Sequence, residues 1–121
     1  MLTFNLKKEW FEKIKSGEKT HEYREEKYYW TSKIVKELFN PKNKKEHKHL
    51  IELFLTMLRT DFYYKCLEFH KICFMNGMIS EETKPRIYAI MKSIRIVNGL
   101  NTDLKINKPV FDIEFELIKE K

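Results

Sequence analysis

Leu2, Phe4 and Leu6 alternate with Thr3 and Asn5, a period of two that predicts a half-buried strand at the start of the chain. Trp10, Phe11 and Ile14 then fall on one helical face, which predicts a short helix over Lys7 to Ser16 stopped by a left-handed Gly17. Lys19 to Arg24 reads as a second strand, with Lys19, His21 and Tyr23 on one face and Thr20, Glu22 and Arg24 on the other. Trp30, Ile34, Val35, Leu38 and Phe39 fit a helix that Asn40-Pro41 ends. The clearest helical period is Leu50, Ile51, Phe54, Leu55, Leu58 and Phe62, within a helix around residues 43–64. Leu53 and Met57 widen its apolar surface beyond an ordinary core stripe.

Strands follow. Cys66 to Phe74 reads as one, closed by Asn76-Gly77. Ile87 to Val97 reads as another, with Tyr88, Ile90, Ile94 and Ile96 on one parity and a turn at Asn98-Gly99. Val110 to Ile118 alternates strictly, Phe111, Ile113, Phe115 and Leu117 against Asp112, Glu114 and Glu116. The order predicts one α+β domain over residues 1–121, its sheet curled or closed into a barrel and flanked by helices.

Composition narrows the class. Hydrophobic residues at 42% and charged residues at 35% suit a folded domain and exclude a disordered chain. No apolar span reaches membrane length, so no membrane partner is expected. The first residues lack the basic start and apolar core of a signal peptide, which sets the cytoplasm as the expected location. Cys66 and Cys73 match neither a zinc nor a redox spacing and read as free thiols. His21, His47, His49 and His70 form no ligand constellation, so neither metal nor cofactor is expected. The net charge of +6 favours a polyanionic partner mildly.

The chemistry concentrates in Gly17-Glu18-Lys19-Thr20-His21-Glu22-Tyr23-Arg24, with Tyr28-Tyr29-Trp30 just beyond. Arg24 suits a phosphate or carboxylate fork, Lys19 a mobile charge, and Glu22 an orienting or proton-accepting group. The competing reading is a mutual ion-pair network, since Glu22 and Arg24 lie two apart on one strand face. Tyr28 or Tyr29 offers a stacking platform, with Trp30 in the core. Lys42, Lys44, Lys45 and Lys48 form a basic run that is either a solvated helix start or a phosphate contact.

The first strand, the Trp-Phe helix, Gly17-x-Lys19-x-x-Glu22-x-Arg24, Tyr29-Trp30 and the turn Phe74-Met75-Asn76-Gly77 together resemble the ASCH domain family of the PUA-like superfamily. The resemblance covers residues 1 to about 33 well and 66–118 in outline. It implies a small PUA-like β-barrel with a cleft lined by the Lys-x-x-Glu-x-Arg strand, and binding of RNA or a nucleotide. Lys19 and Arg24 fall on positions shared across the family. One branch hydrolyses acetylated cytidine with a threonine three residues after the lysine; this chain has Glu22 there. Against the family pattern, residues 41–65 read as a helical insertion.

Three functions follow as expectations. The first is an RNA- or nucleotide-binding module in which Lys19, Thr20, Glu22, Arg24, Tyr28, Tyr29 and Asn76 bind the ligand. The second is a nucleoside amidohydrolase or ribonuclease, with Lys19 and Glu22 as catalytic groups and Thr20 or a tyrosine as nucleophile. The third is an interaction protein, of the kind a phage encodes as an accessory, whose Leu50–Phe62 helix forms a homodimer or docks a protein partner.

Overall fold

A computed structural model of the protein describes residues 1–61, 63–77 and 85–119. Strand β1 (Leu2–Leu6) leads into helix α1 (Lys8–Lys15), then strand β2 (His21–Glu25) and helix α2 (Tyr28–Phe39). Helix α3 (Lys44–Asp61) follows, then β3 (Tyr64–Lys65), β4 (Lys71–Asn76), β5 (Arg86–Asn98), a 3₁₀ turn (Gly99–Asn101) and β6 (Pro109–Leu117). Among the described residues the fold is α+β, with six strands in one sheet and three helices. The sheet runs β1-β4-β5-β6-β2, with β3 paired to β5, and curls into a half-barrel. β1 pairs parallel to β4, whereas the other neighbours are antiparallel.

The core fills the concave side of the sheet. Phe4, Phe74, Phe111, Ile113 and Ile94 point inward, covered by Phe11 and Ile14 of α1, Ile34, Val35 and Leu38 of α2, and Ile51, Phe54 and Leu58 of α3. The alternation of β6 is realised: Phe111, Ile113 and Phe115 are buried, Glu114 and Glu116 exposed. Asp112 departs from it. It lies on the opposite face yet is buried, with Oδ1 2.6 Å from His21 Nδ1 and Oδ2 accepting from Arg95 Nε at 2.9 Å. Neighbouring side chains cover this carboxylate, which no alternation rule anticipates.

Two strand assignments need correction. Cys66 to Phe74 is not one strand: Tyr64–Lys65 pairs with β5, the chain leaves the ladder between the Cys66 N–H and the His70 carbonyl, which both still bond to β5, and regular pairing resumes at Lys71. Leu67 and Phe69 are largely exposed in that excursion, so their apolar character imitated a strand. In β5 the shared parity of Tyr88, Ile90, Ile94 and Ile96 does not mark one face. A register shift between Met91 and Ser93 inserts one residue, so Ala89 and Met91 point inward before it and Ile94 after it. A bulge flips every later side chain and bends the strand, and here it lets a thirteen-residue strand follow the curl.

The helix expected around residues 43–64 is present as α3, but its broad apolar surface is mostly committed to the core. Ile51, Phe54 and Leu58 are buried, and Leu50, Leu55 and Met57 pack against them. Leu53 alone among the described apolar residues of α3 is exposed. Phe62 lies outside the described residues. No helix among the described residues is long and apolar enough to cross a membrane.

The half-barrel has an open seam. Its two end strands, β1 and β2, share no backbone ladder among the described residues. Arg24 bridges them instead, its Nη2 donating to the Asn5 carbonyl at 3.1 Å.

Candidate functional site

The seam is a cleft of about 610 Å³, lined on the β2 side by Glu22, Tyr23 and Arg24 and on the β1 and α2 side by Asn5 and Trp30. Its third wall is the loop after the 3₁₀ turn, which contributes Asp103, Leu104 and Ile106. A larger concavity, about 740 Å³, lies at the far end of β1 and α2. The seam is the functional candidate because a buried carboxylate and two cations converge there, in a volume suited to a nucleotide-sized ligand.

α1 sets one side of the site. Its last turn closes on Gly17, at φ +85°, whose N–H donates to the Ile14 carbonyl at 3.0 Å. The Lys19 N–H then reaches back to the Lys13 carbonyl at 3.0 Å. Lys19 is therefore held by a wide helix cap and precedes the strand, which begins at His21. Strand parity does not govern it. Its Nζ joins the Glu22 side, 3.8 Å from Oε1, where alternation had separated the two. Nζ also donates to the Asp103 carboxylate and lies 5.2 Å from the Trp10 ring and 5.1 Å from the Tyr23 ring. Only 9% of the Lys19 side chain is exposed.

Glu22 is buried at the centre. Oε1 accepts the Tyr23 N–H at 2.9 Å, and Oε2 lies 3.4 Å from Arg24 Nη2. Burial pushes the Glu22 carboxyl above its ordinary range, against the opposing pull of Arg24, Lys19 and the Tyr23 N–H; Asp103 adds to the upward shift. Arg24 lies across two aromatic faces, with Cζ 5.1 Å from the Phe4 ring and 4.8 Å from the Trp30 ring. Phe4 and Trp30 stack at 5.3 Å, which makes that platform rigid. Arg24 Nε is buried and has no hydrogen-bond partner among the described residues. A buried donor left unmade costs about 1–3 kcal/mol, a cost this site carries at Arg24.

The remaining candidates disperse. Thr20 is exposed and opens onto a neighbouring shallow pocket of about 300 Å³, shared with Lys19, His21 and Asp103, and does not line the seam cleft. Tyr28 and Tyr29 are 72% and 57% exposed on the first turn of α2 and do not line the seam cleft. Asn76 is buried at the end of β4 opposite Leu6, and does not line the cleft either. Trp30, assigned to the core, is half-buried and forms part of the cleft wall. His21 is partly exposed, stacked beside Tyr23 with ring centroids 6.2 Å apart.

Sequence reasoning missed Asp103 and Trp10. Asp103 lies in a turn-forming stretch eighty-four positions from its partner Lys19, and spacing carries no information at that range. The turn residues Asn98-Gly99 and Asn101-Thr102 are its one signal. Trp10 has the period of a core residue, yet it is half-buried beneath the ammonium groups of Lys13 and Lys19. No group of three metal-ligating side chains is assembled among the described residues. Comparison with family models, with curated proteins and with solved structures returns no match for this chain.

Proposed function

We propose that the protein is an ASCH-like, PUA-like binding module whose seam cleft takes a nucleotide or an exposed RNA base with its phosphate. The observation that carries this reading is Arg24: clamped over Phe4 and Trp30, with a buried N–H lacking an acceptor, beside a buried carboxylate. In the bound state the guanidinium takes the phosphate or a base carbonyl, and Glu22 accepts from a base N–H or ribose hydroxyl. Trp30 supplies an aromatic edge to the ligand. Lys19 is less available, because Asp103 and Glu22 already neutralise it.

That neutralisation favours binding over hydrolysis. A lysine engaged by two carboxylates is a poor base, and Thr20, though it shares a shallow pocket with Lys19, does not line the seam cleft beside Glu22 and Arg24. Thermal-shift titration with nucleotides and short RNAs tests the reading. A ligand at a hundred times its dissociation constant adds about 2.7 kcal/mol of apparent stability to the wild type, and Arg24→Ala abolishes the gain. An equal ligand-induced shift in Arg24→Ala refutes the assignment.

A further inference from the structure

The chain's excess positive charge is concentrated away from the cleft. Residues 33–48 hold six lysines, Lys33, Lys36, Lys42, Lys44, Lys45 and Lys48, against two glutamates. Neither glutamate offsets the lysines directly. Glu37 accepts the Leu2 N–H at 2.8 Å and lies 3.7 Å from both the N-terminus and His70, while Glu46 lies 3.4 Å from the Lys42 N–H. None of the six lysines forms an ion pair among the described residues.

Their placement is ordered. Tyr29, Lys33, Lys36 and Asn40 recur at helical spacing and are all exposed, forming one stripe of α2. Lys33 Nζ sits 4.8 Å from the Tyr29 ring, so a cation lies beside an aromatic face. At 1.5 Å per residue the stripe spans about 16 Å, from the turn beside Trp30 to the α2–α3 corner. Two concavities adjoin there and share Lys36 and Asn40; the second adds Lys42 and Lys44. Asn40 adopts a left-handed conformation, φ 45°, that turns the chain sharply enough to bring the two lysine groups together.

We propose that this stripe and corner form a track for the phosphate backbone of a single-stranded nucleic acid leading away from the seam cleft, an extension that rests on the cleft reading above. Charge complementarity identifies a polyanion. The protruding Tyr28 and Tyr29 rings favour a strand with unpaired bases, since a duplex withholds its base faces. No large apolar side chain between Trp30 and Leu53 is exposed, which disfavours a protein anchor or membrane insertion at this surface.

The test compares wild type, Arg24→Ala and the triple variant Lys33→Gln, Lys36→Gln, Lys44→Gln. Each is titrated with uridine monophosphate, octauridylate, octathymidylate and polyglutamate across a salt series. Three lost phosphate contacts at about 0.7 each make the log–log salt slope shallower by about 2 and weaken octamer binding about a hundredfold at 0.1 M salt. Mononucleotide affinity is unchanged in the triple variant, whereas Arg24→Ala weakens both ligand sizes. Weakened binding of either octamer by the triple variant supports the track, and the octamer that the wild type binds more tightly identifies the nucleic acid. If the triple variant binds octamers as wild type does, the track is wrong, while loss in Arg24→Ala keeps the cleft. If Arg24→Ala changes nothing and the triple variant loses the octamer, the cleft reading falls and the track stands. Polyglutamate bound as tightly as an octamer overturns the nucleic-acid assignment, and failure of every ligand overturns both.

Discussion

Gly99→Ala tests how the third wall of the cleft is held. Gly99 opens the turn that carries Asp103, and its backbone lies against the returning chain. A Cβ there would sit 2.5 Å from the Ile106 carbonyl oxygen, 2.7 Å from Ile106 Cγ1 and 3.0 Å from Val110 Cγ1. The first two fall about 1 Å inside ordinary contact distance. One neighbour is main chain, so rotamer change cannot relieve the clash and the loop must move. Overpacking of this kind costs about 1–3 kcal/mol. Movement also strains two 2.8 Å bonds, Gly99 N–H to the Lys108 carbonyl and Thr102 Oγ1 to the Gly99 carbonyl, each worth about 1 kcal/mol net. The expected loss is therefore about 2–4 kcal/mol, read as a fall of about 1–2 M in the urea midpoint at unchanged slope. Because Asp103 rides on the loop, Lys19 should also become more reactive toward amine-labelling reagents. Gly17→Ala is the control: it meets nothing within 4 Å, and its cost comes from φ alone, about 1–2 kcal/mol. A Gly99→Ala protein within 0.5 kcal/mol of wild type, with Lys19 labelling unchanged, would refute the close-approach argument.

Further outcomes follow from two ionisable groups whose titration burial shifts. The Glu22 carboxyl is raised in the folded state, chiefly by burial, so the folded protein favours its neutral form. The associated stability is present below the ordinary value of 4.5 and is lost as pH rises through the folded value, so Glu22→Gln should flatten that dependence in denaturation across pH 4–8. An unaltered pH profile in Glu22→Gln would contradict it. Burial pushes the Cys66 thiol up to about 11 from 9.0, so at pH 8 its thiolate fraction, and its alkylation rate, should be about a hundredfold below those of a free thiol. The same shift predicts stability that falls as pH climbs from 9 through 11, and Cys66→Ser should remove that fall.

Much of the frame was legible because local rules and tertiary demands agreed. In β6 a strict alternation meets a sheet with one apolar side, and at Gly17 a left-handed stop meets a turn that needs one. Failures mark where a longer-range constraint overrode the period. The residue inserted at Lys92 serves the curl of the whole sheet, and nothing in Met91-Lys92-Ser93 announces it. Lys19 obeys the cap of α1 rather than the strand two residues later, so parity placed it on the wrong side. The Glu22–Arg24 contact was foreseeable from two-residue spacing, whereas Asp103 required knowing how the chain folds back after β5. The ASCH resemblance pointed to the β2 wall, and could not supply the loop opposite.

Arg24 holds the seam shut with a single side-chain bond to Asn5, where the rest of the sheet is held by ladders. Any ligand that claims this guanidinium therefore competes with a structural latch. Occupancy of the cleft and cohesion of the sheet margins become thermodynamically linked: the edge amides of β1 and β2 should change their hydrogen-exchange protection as ligand binds, while those of β5 and β6 do not. A join made by one side chain rather than by a ladder would thereby report on the cleft, an anion bound there registering as looseness or firmness of two strand ends that no backbone ladder connects among the described residues.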